Sequence, residues 1–126
     1  MLDRRPKNIN PLSIKLPITA LVSIGHRISG VFVFLCIPLM LCALAESLRS
    51  QESFEAIASW FSPMPVKILT WLLIVAVVFH LLAGFRHLLM DCHWGETLRS
   101  AKLTAGIVIV ITVAAAVLFG ICLLGS

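Results

Sequence analysis

The chain has 126 residues, of which 60% are hydrophobic and only 13% are charged, and its mean hydropathy is +1.03. This composition excludes an ordinary soluble domain and indicates an integral membrane protein. Ten Lys and Arg residues against six Asp and Glu give a formal net charge of +4. This charge reflects the placement of basic residues around the predicted membrane segments and does not indicate nucleic-acid binding.

The predicted elements are an extended N-terminal arm over residues 1–17 and three apolar segments at about 21–45, 66–90 and 103–124. A segment of about 20 apolar residues spans the hydrocarbon core as a helix, because backbone groups in lipid must pair within the segment. No alternating pattern of a membrane barrel is present. The sequence therefore predicts an all-α integral membrane fold with three transmembrane helices, forming a single membrane-anchor domain over residues 1–126.

The first apolar segment is interpreted as a retained helix, because no small-residue cleavage site follows it. The residues before it lack an amphipathic transit segment, which favours a bacterial chain.

The connection between the first two helices carries aromatic and aliphatic residues at helical spacing, Phe54, Ile57, Trp60 and Phe61. They are compatible with a short interfacial helix or with an aromatic belt at the membrane surface, and we favour the belt.

Basic residues are concentrated before the first helix and between the second and third. The first group is Arg4, Arg5, Lys7 and Lys15, and the second is Arg86, Arg99 and Lys102. The first connection instead carries Glu46, Glu52 and Glu55 with Arg49 and Lys67, and the C-terminal tail is uncharged. Because cytoplasmic segments are enriched in Lys and Arg, the N-terminus is predicted to be cytoplasmic and the C-terminus periplasmic.

The four cysteines show no CxxC or CxxCH spacing. Three of them, Cys36, Cys42 and Cys122, fall inside predicted helices, and Cys92 follows the second one. We interpret them as packing residues rather than as zinc ligands, haem attachment points or disulfides.

The first helix opens with the stretch SIGHRISG, residues 23–30, which places ionisable side chains in an apolar segment. Ser23, His26, Arg27 and Gly30 share one face at helical spacing. Since facing lipid costs an ionisable group a few kcal/mol, this face is predicted to point into the bundle or a polar cavity.

The second helix contains a matching stripe, spaced i, i+4, i+7 and i+11: His80, Gly84, His87 and Asp91. At a rise of about 1.5 Å per residue, His80 lies about 16 Å from Asp91, near mid-membrane. Gly84 is predicted to leave a slot beside it, and an imidazole beside a slot suits an axial ligand of haem b. The alternative is a neutral packed histidine bonded to a carbonyl of a neighbouring helix.

The anionic propionates of such a haem need cations or donors, which His26 and Arg27 are placed to supply. Arg27 as a snorkelling interface residue is the alternative. A second axial ligand is expected from another subunit, because His26 lies too near the surface for that role.

These motifs resemble the cytochrome b556 membrane-anchor family of succinate dehydrogenase. The resemblance rests on Arg5-Pro6, on SIGHRISG and on HLLAGFRHLLMD (residues 80–91), and it covers almost the whole chain. It implies a four-subunit complex in the bacterial inner membrane, with FAD and iron–sulfur clusters confined to a flavoprotein and an iron–sulfur subunit. Two anchors would share haem b and bind ubiquinone, so this chain alone would hold no residue that acts on succinate.

The resemblance also implies roles for individual residues. His80 would be the axial haem ligand, and His26 and Arg27 would lie near the propionates. Ser23 and Arg27 would contribute to the quinone site, where Ile24 could pack the ring. We further hypothesise that His87 and Asp91 deliver protons to the reduced quinone.

Two alternatives to this function remain. One is the anchor of a related quinol:fumarate reductase, which runs the quinone reaction in the opposite direction. The other is a haem-free structural anchor or a small channel-like subunit, whose polar stripes only hold helices together.

Overall fold

The computed structural model describes residues 16–125, which form four helices and no strand. The helices are α1 (Ile18–Ser47), α2 (Gln51–Trp60), α3 (Met64–Asp91) and α4 (Leu98–Leu124). α1, α3 and α4 are each long and apolar enough to cross a membrane. The predicted all-helical architecture with three spans is therefore confirmed, and the chain is a multi-pass membrane protein.

The three long helices extend beyond their predicted bounds, because capping residues rather than the apolar run set their ends. α1 begins directly after Pro17, and α3 carries Pro65 in its first turn, where proline is tolerated. α4 begins at Leu98 rather than near 103, because the Thr97 side chain accepts a hydrogen bond from Ser100 N. Most of the predicted N-terminal arm, residues 1–15, lies outside the described residues.

The connection between the first two spans contains the short helix α2. Ser50 caps it by accepting a hydrogen bond from Ser53 N at 3.0 Å, and Glu52 in the first turn complements the helix dipole. Ile57 is its buried residue, whereas Trp60 and its aromatic neighbours are exposed. The structure thus contains the short helix, and exposure of its aromatic side chains is what the favoured interpretation as a belt also requires.

α3 packs against both α1 and α4, and α1 and α4 also contact each other. The most buried residues at the crossing are small or β-branched: Val22, Ala83, Ala105 and Val108. Small residues let membrane helices approach closely, which is how such helices gain packing energy without a hydrophobic driving force between them. The large apolar side chains point outward instead, as expected for a chain whose solvent is lipid.

Two devices fix α3 relative to α4. The Trp71 indole donates to the Ala116 carbonyl at 2.8 Å, and its ring covers the position of Gly120. At the other end, α3 stops in a Schellman motif, with Trp94 N bonded to Leu89 O and His93 at a positive φ of 63°. The tight turn returns the chain directly to α4.

Candidate functional site

Where α1 and α3 cross, a histidine of each helix packs against a glycine of the other. A Cβ added to Gly30 of α1 would lie 2.9 Å from His80 Cε1 of α3. A Cβ added to Gly84 of α3 would lie 3.1 Å from His26 Nε2 of α1. Each histidine therefore occupies the space that the other helix leaves by lacking a side chain, and the two backbones approach closely at this point.

This packing of α1 against α3 brings three histidine rings together. The rings of His26 and His80 are stacked, with centroids 4.3 Å apart and an angle of 15° between their planes. His87 also lies against His26, with ring centroids 5.2 Å apart and an angle of 52° between the ring planes. The slot expected beside Gly84 is not open in this structure, because the His26 imidazole fills it.

Hydrogen bonds fix the orientation of His80. Its Nδ1 lies 3.1 Å from the backbone oxygen of His26 and 3.2 Å from Oγ of Ser29. Since a carbonyl oxygen can only accept, Nδ1 must carry the hydrogen, and in a neutral imidazole the lone pair then lies on Nε2. Among the residues that the structure describes, no hydrogen-bond partner is found for that Nε2. His80 is thus bonded to a carbonyl of a neighbouring helix, as one of our alternatives expected, and its Nε2 is left with a lone pair that could bind a metal.

Ser29 was missed by the sequence analysis. It is buried, and its hydroxyl donates to the His26 carbonyl at 2.9 Å, which closes a triangle with His80 Nδ1. The available signal was its position three residues after His26 and seven after Val22, which places all three on one face of α1.

The polar stripe of α1 is divided by the fold rather than buried as a unit. His26 and Gly30 contact α3, but Arg27 and Ile24 are exposed and Ser23 is only partly buried. Arg27 therefore does not point into this chain's own bundle. The reason is angular: Val22, His26 and Ser29 define the buried line of α1, and Arg27 lies about 100° beyond His26.

The stripe of α3 grades from the bundle to the surface. His80 and Gly84 pack against α1, His87 is partly buried beside His26, and Asp91 is exposed at the last residue of the helix. The structure therefore places the four predicted residues in one line along α3, from the middle of the helix to its C-terminal end.

Arg86 is a buried cation, which the sequence analysis used only as one of the basic residues that indicate orientation in the membrane. Its side chain is 5% exposed; Nε donates to Thr104 Oγ1 and Nη2 donates to the Ala101 carbonyl, both at 3.1 Å. It lines a cavity of about 190 Å³ between α3 and α4, whose other walls are mainly apolar. The signal that could have found it is the cost of an arginine in an apolar helix, which demands partners on a neighbour.

Two comparisons with known proteins identify the family of this chain. Residues 1–119 match the family model described as succinate dehydrogenase/fumarate reductase transmembrane subunit. The chain is also 37% identical, over 96% of its length and 98% of the relative's, to the succinate dehydrogenase cytochrome b556 subunit of Coxiella burnetii (strain RSA 493 / Nine Mile phase I). The chain belongs to the succinate dehydrogenase/fumarate reductase transmembrane subunit family. The resemblance seen in the sequence motifs is thereby confirmed.

The donor chemistry of this family member fits a haem rather than a protein-only metal site. No group of three or more His, Cys, Asp or Glu side chains within residues 16–125 is arranged to hold a metal ion. A haem iron takes its four equatorial nitrogens from the macrocycle and needs only axial ligands from protein. His80, with Nδ1 bonded to a carbonyl and the lone pair on Nε2, meets that need. The four cysteines are free, and only Cys36 is partly buried.

Proposed function

We propose that this chain is the haem b-containing membrane anchor of succinate dehydrogenase, respiratory complex II. In this role it helps to form the ubiquinone-reduction site and to pass electrons from succinate oxidation to the quinone pool. The family match and the name of the Coxiella relative support the proposal. Succinate chemistry would then belong to partner subunits, as expected for a member of a transmembrane subunit family.

One observation carries the haem assignment, the hydrogen bond from His80 Nδ1 to the His26 carbonyl. Axial histidines are normally oriented in this way, with one nitrogen donating to a carbonyl or carboxylate and the other facing the metal. The bond fixes the tautomer and raises the basicity of the ligating nitrogen. When bound, haem b supplies a one-electron carrier buried within the membrane.

His26 and Arg27 are proposed to hold the propionates. Their side chains diverge from neighbouring positions of α1, with His26 beside His80 and Arg27 exposed. An exposed arginine on a transmembrane helix needs an anionic or polar partner, because lipid is a costly surrounding for a cation. In the assembled complex, propionates and the quinone headgroup provide such partners.

The quinone contacts are proposed to be Ser23, Ile24 and Arg27. Ser23 and Arg27 are one turn apart on α1, and all three lie away from the buried line, with Ile24 farthest from it. A hydroxyl and a fixed cation suit the two needs of quinone reduction, hydrogen bonds to the carbonyl oxygens and stabilisation of developing negative charge. Ile24, which is 42% exposed, offers an apolar surface for the ring.

The partly exposed face of α1 also supports a shared site. A second membrane anchor is proposed to cover this face and to supply the other axial ligand, while an iron–sulfur subunit and a flavoprotein dock at the cytoplasmic end. His87 and Asp91 are proposed to deliver protons from that end. The N-terminus is proposed to be cytoplasmic, the C-terminus periplasmic, and the membrane the bacterial inner membrane.

The test is a dithionite-reduced minus oxidised visible spectrum of the purified complex carrying His80→Ala. We expect the wild-type complex to show a sharp b-type α-band and the variant to lose or shift it. His93→Asn is the matched control, because this histidine lies in an exposed turn and asparagine tolerates its positive φ. Gel filtration of each complex shows whether the subunits remain assembled.

Two outcomes contradict the proposal. A wild-type complex without a b-type band leaves a haem-free anchor, and an unchanged band in assembled His80→Ala complex removes His80 as the ligand. Initial rates of succinate oxidation by quinone and of fumarate reduction by quinol then separate the two enzymes of the family by their favoured direction.

A further inference from the structure

We propose that Ser29 is a positioning residue for the axial histidine, holding the His80 imidazole in the orientation and tautomer that ligation requires. This inference rests on the proposed function, because it takes His80 as the ligand. It concerns a different residue from those assigned above, and it follows from hydrogen-bond geometry at a buried hydroxyl.

The direction of each hydrogen bond among Ser29, His26 and His80 follows from which atoms can only accept. Ser29 Oγ is 2.9 Å from the His26 carbonyl, which can only accept, so the hydroxyl hydrogen points to that oxygen. The serine lone pairs are then left for His80 Nδ1 at 3.2 Å. Nδ1–H therefore lies between two acceptors, the hydroxyl oxygen of Ser29 and the carbonyl oxygen of His26.

The hydrogen bonds around Ser29 are buried between α1 and α3. Ser29 is 8% exposed, and a Cβ added to its neighbour Gly30 would lie only 2.9 Å from Cε1 of the His80 ring. In a bilayer no water replaces a lost acceptor at this depth, so each contact to Nδ1–H weighs more than it would at a surface. Ser29 and Gly30 thus act on the same ring, one by bonding it and the other by making room.

The acceptors on Nδ1–H also affect Nε2, the nitrogen that would bind the haem iron. Acceptors on Nδ1–H increase the electron density that Nε2 offers, which stabilises the oxidised iron relative to the reduced iron. Loss of the Ser29 acceptor should therefore raise the reduction potential of the haem. Loss of an outer-shell partner also typically weakens metal affinity by 10-fold to 100-fold, and with the His26 carbonyl retained we expect an effect of about 10-fold.

The experiment uses the assembled complex with Ser29→Ala and measures two quantities, the midpoint potential of the haem and the rate of haem transfer to excess apomyoglobin. We expect a more positive potential and transfer about 10-fold faster. Ser29→Thr retains the hydroxyl and should restore both values. Ser47→Ala is the matched control, because Ser47 makes the same bond to the carbonyl three residues earlier, at 2.8 Å to Leu44 O, far from any histidine.

The outcomes separate this proposal from the one beneath it. If wild-type complex shows no b-type band, or if His80→Ala retains it, the proposed function fails and the role of Ser29 fails with it. If His80→Ala loses the band while Ser29→Ala keeps the wild-type potential and transfer rate, only the role of Ser29 is overturned. Should Ser29→Ala not assemble, Ser29→Cys supplies the same comparison, since sulfur is a weak acceptor of similar shape.

Discussion

The imidazole rings of His26 and His80 stack at 4.3 Å, and each ring faces a glycine of the opposite helix. The arrangement is reciprocal: Gly30 receives His80, and Gly84 receives His26. The stack and the two glycines therefore form one packing unit, in which a side chain added to either helix displaces an imidazole.

Gly30→Ala is expected to disturb the candidate haem site. The new methyl group would lie 2.9 Å from His80 Cε1, and the ring cannot move away without losing its bond to the His26 carbonyl. Overpacking of this kind costs about 1–3 kcal/mol, which exceeds the helix propensity gained from alanine. Thermal denaturation of the solubilised complex and the reduced-minus-oxidised spectrum should both change.

Gly106→Ala on α4 is the control for that substitution. A Cβ at Gly106 meets nothing within 4 Å, so only the propensity term remains, and stability should hold or rise by up to about 1 kcal/mol. Equal stability losses at positions 30 and 106 would contradict the packing unit.

Arg86→Gln is expected to loosen α3 from α4. The guanidinium contributes two N–H donors to Thr104 and Ala101, and hydrogen bonds from a charged donor are worth more than neutral ones. We expect a loss of about 1–3 kcal/mol in the free energy of unfolding. Arg86→Lys should recover only part of it, because an ammonium lacks the planar fork that reaches both acceptors.

Arg99→Gln provides the comparison for Arg86, since Arg99 is exposed one residue after the start of α4. Its effect should stay within about 0.5 kcal/mol. If Arg86→Gln is no more destabilising than Arg99→Gln, the buried contacts do not hold the two helices together.

Asp91→Asn is expected to slow quinone reduction and to alter its pH profile. Asp91 is exposed at the C-terminal end of α3, eleven residues beyond His80, where an acid can exchange protons with water. Removing the carboxylate leaves the helix intact but removes a proton donor and acceptor. Steady-state rates between pH 6 and 9 with a soluble quinone make the measurement, and an unchanged rate and profile would remove Asp91 from the pathway.

A C-terminal alkaline phosphatase fusion should be active and a C-terminal green fluorescent protein fusion dark, because the distribution of basic residues predicts a periplasmic C-terminus. Fusions truncated after Glu96, between α3 and α4, should give the opposite pair of results. Fluorescence from the full-length fusion would invert the proposed orientation.

The spans could be predicted from the sequence because apolar length alone determines them in lipid. Helix ends were less predictable, since Thr97 starts α4 through a cap that lies outside the apolar run. His80, Gly84 and His87 were found by spacing, and they do meet α1. Spacing could not show that His26 fills the room beside Gly84, because that depends on how far one helix is displaced along the other.

Two further residues needed the fold before their roles could be seen. Ser29 is an ordinary residue in a list of helix positions, and its importance comes from a carbonyl and a ring that meet only at the α1–α3 crossing. Arg86 is rare enough in an apolar helix to attract attention, but its partners lie 15 and 18 residues away on α4. The outward position of Arg27 likewise follows from which line of α1 is buried.

The acceptors that orient His80 all come from this chain, from the His26 backbone and the Ser29 hydroxyl. The orientation of the ring is therefore set by the pairing of α1 with α3 within one chain. If His80 is the axial ligand that we propose, a single folded chain would already hold that ligand in its binding orientation.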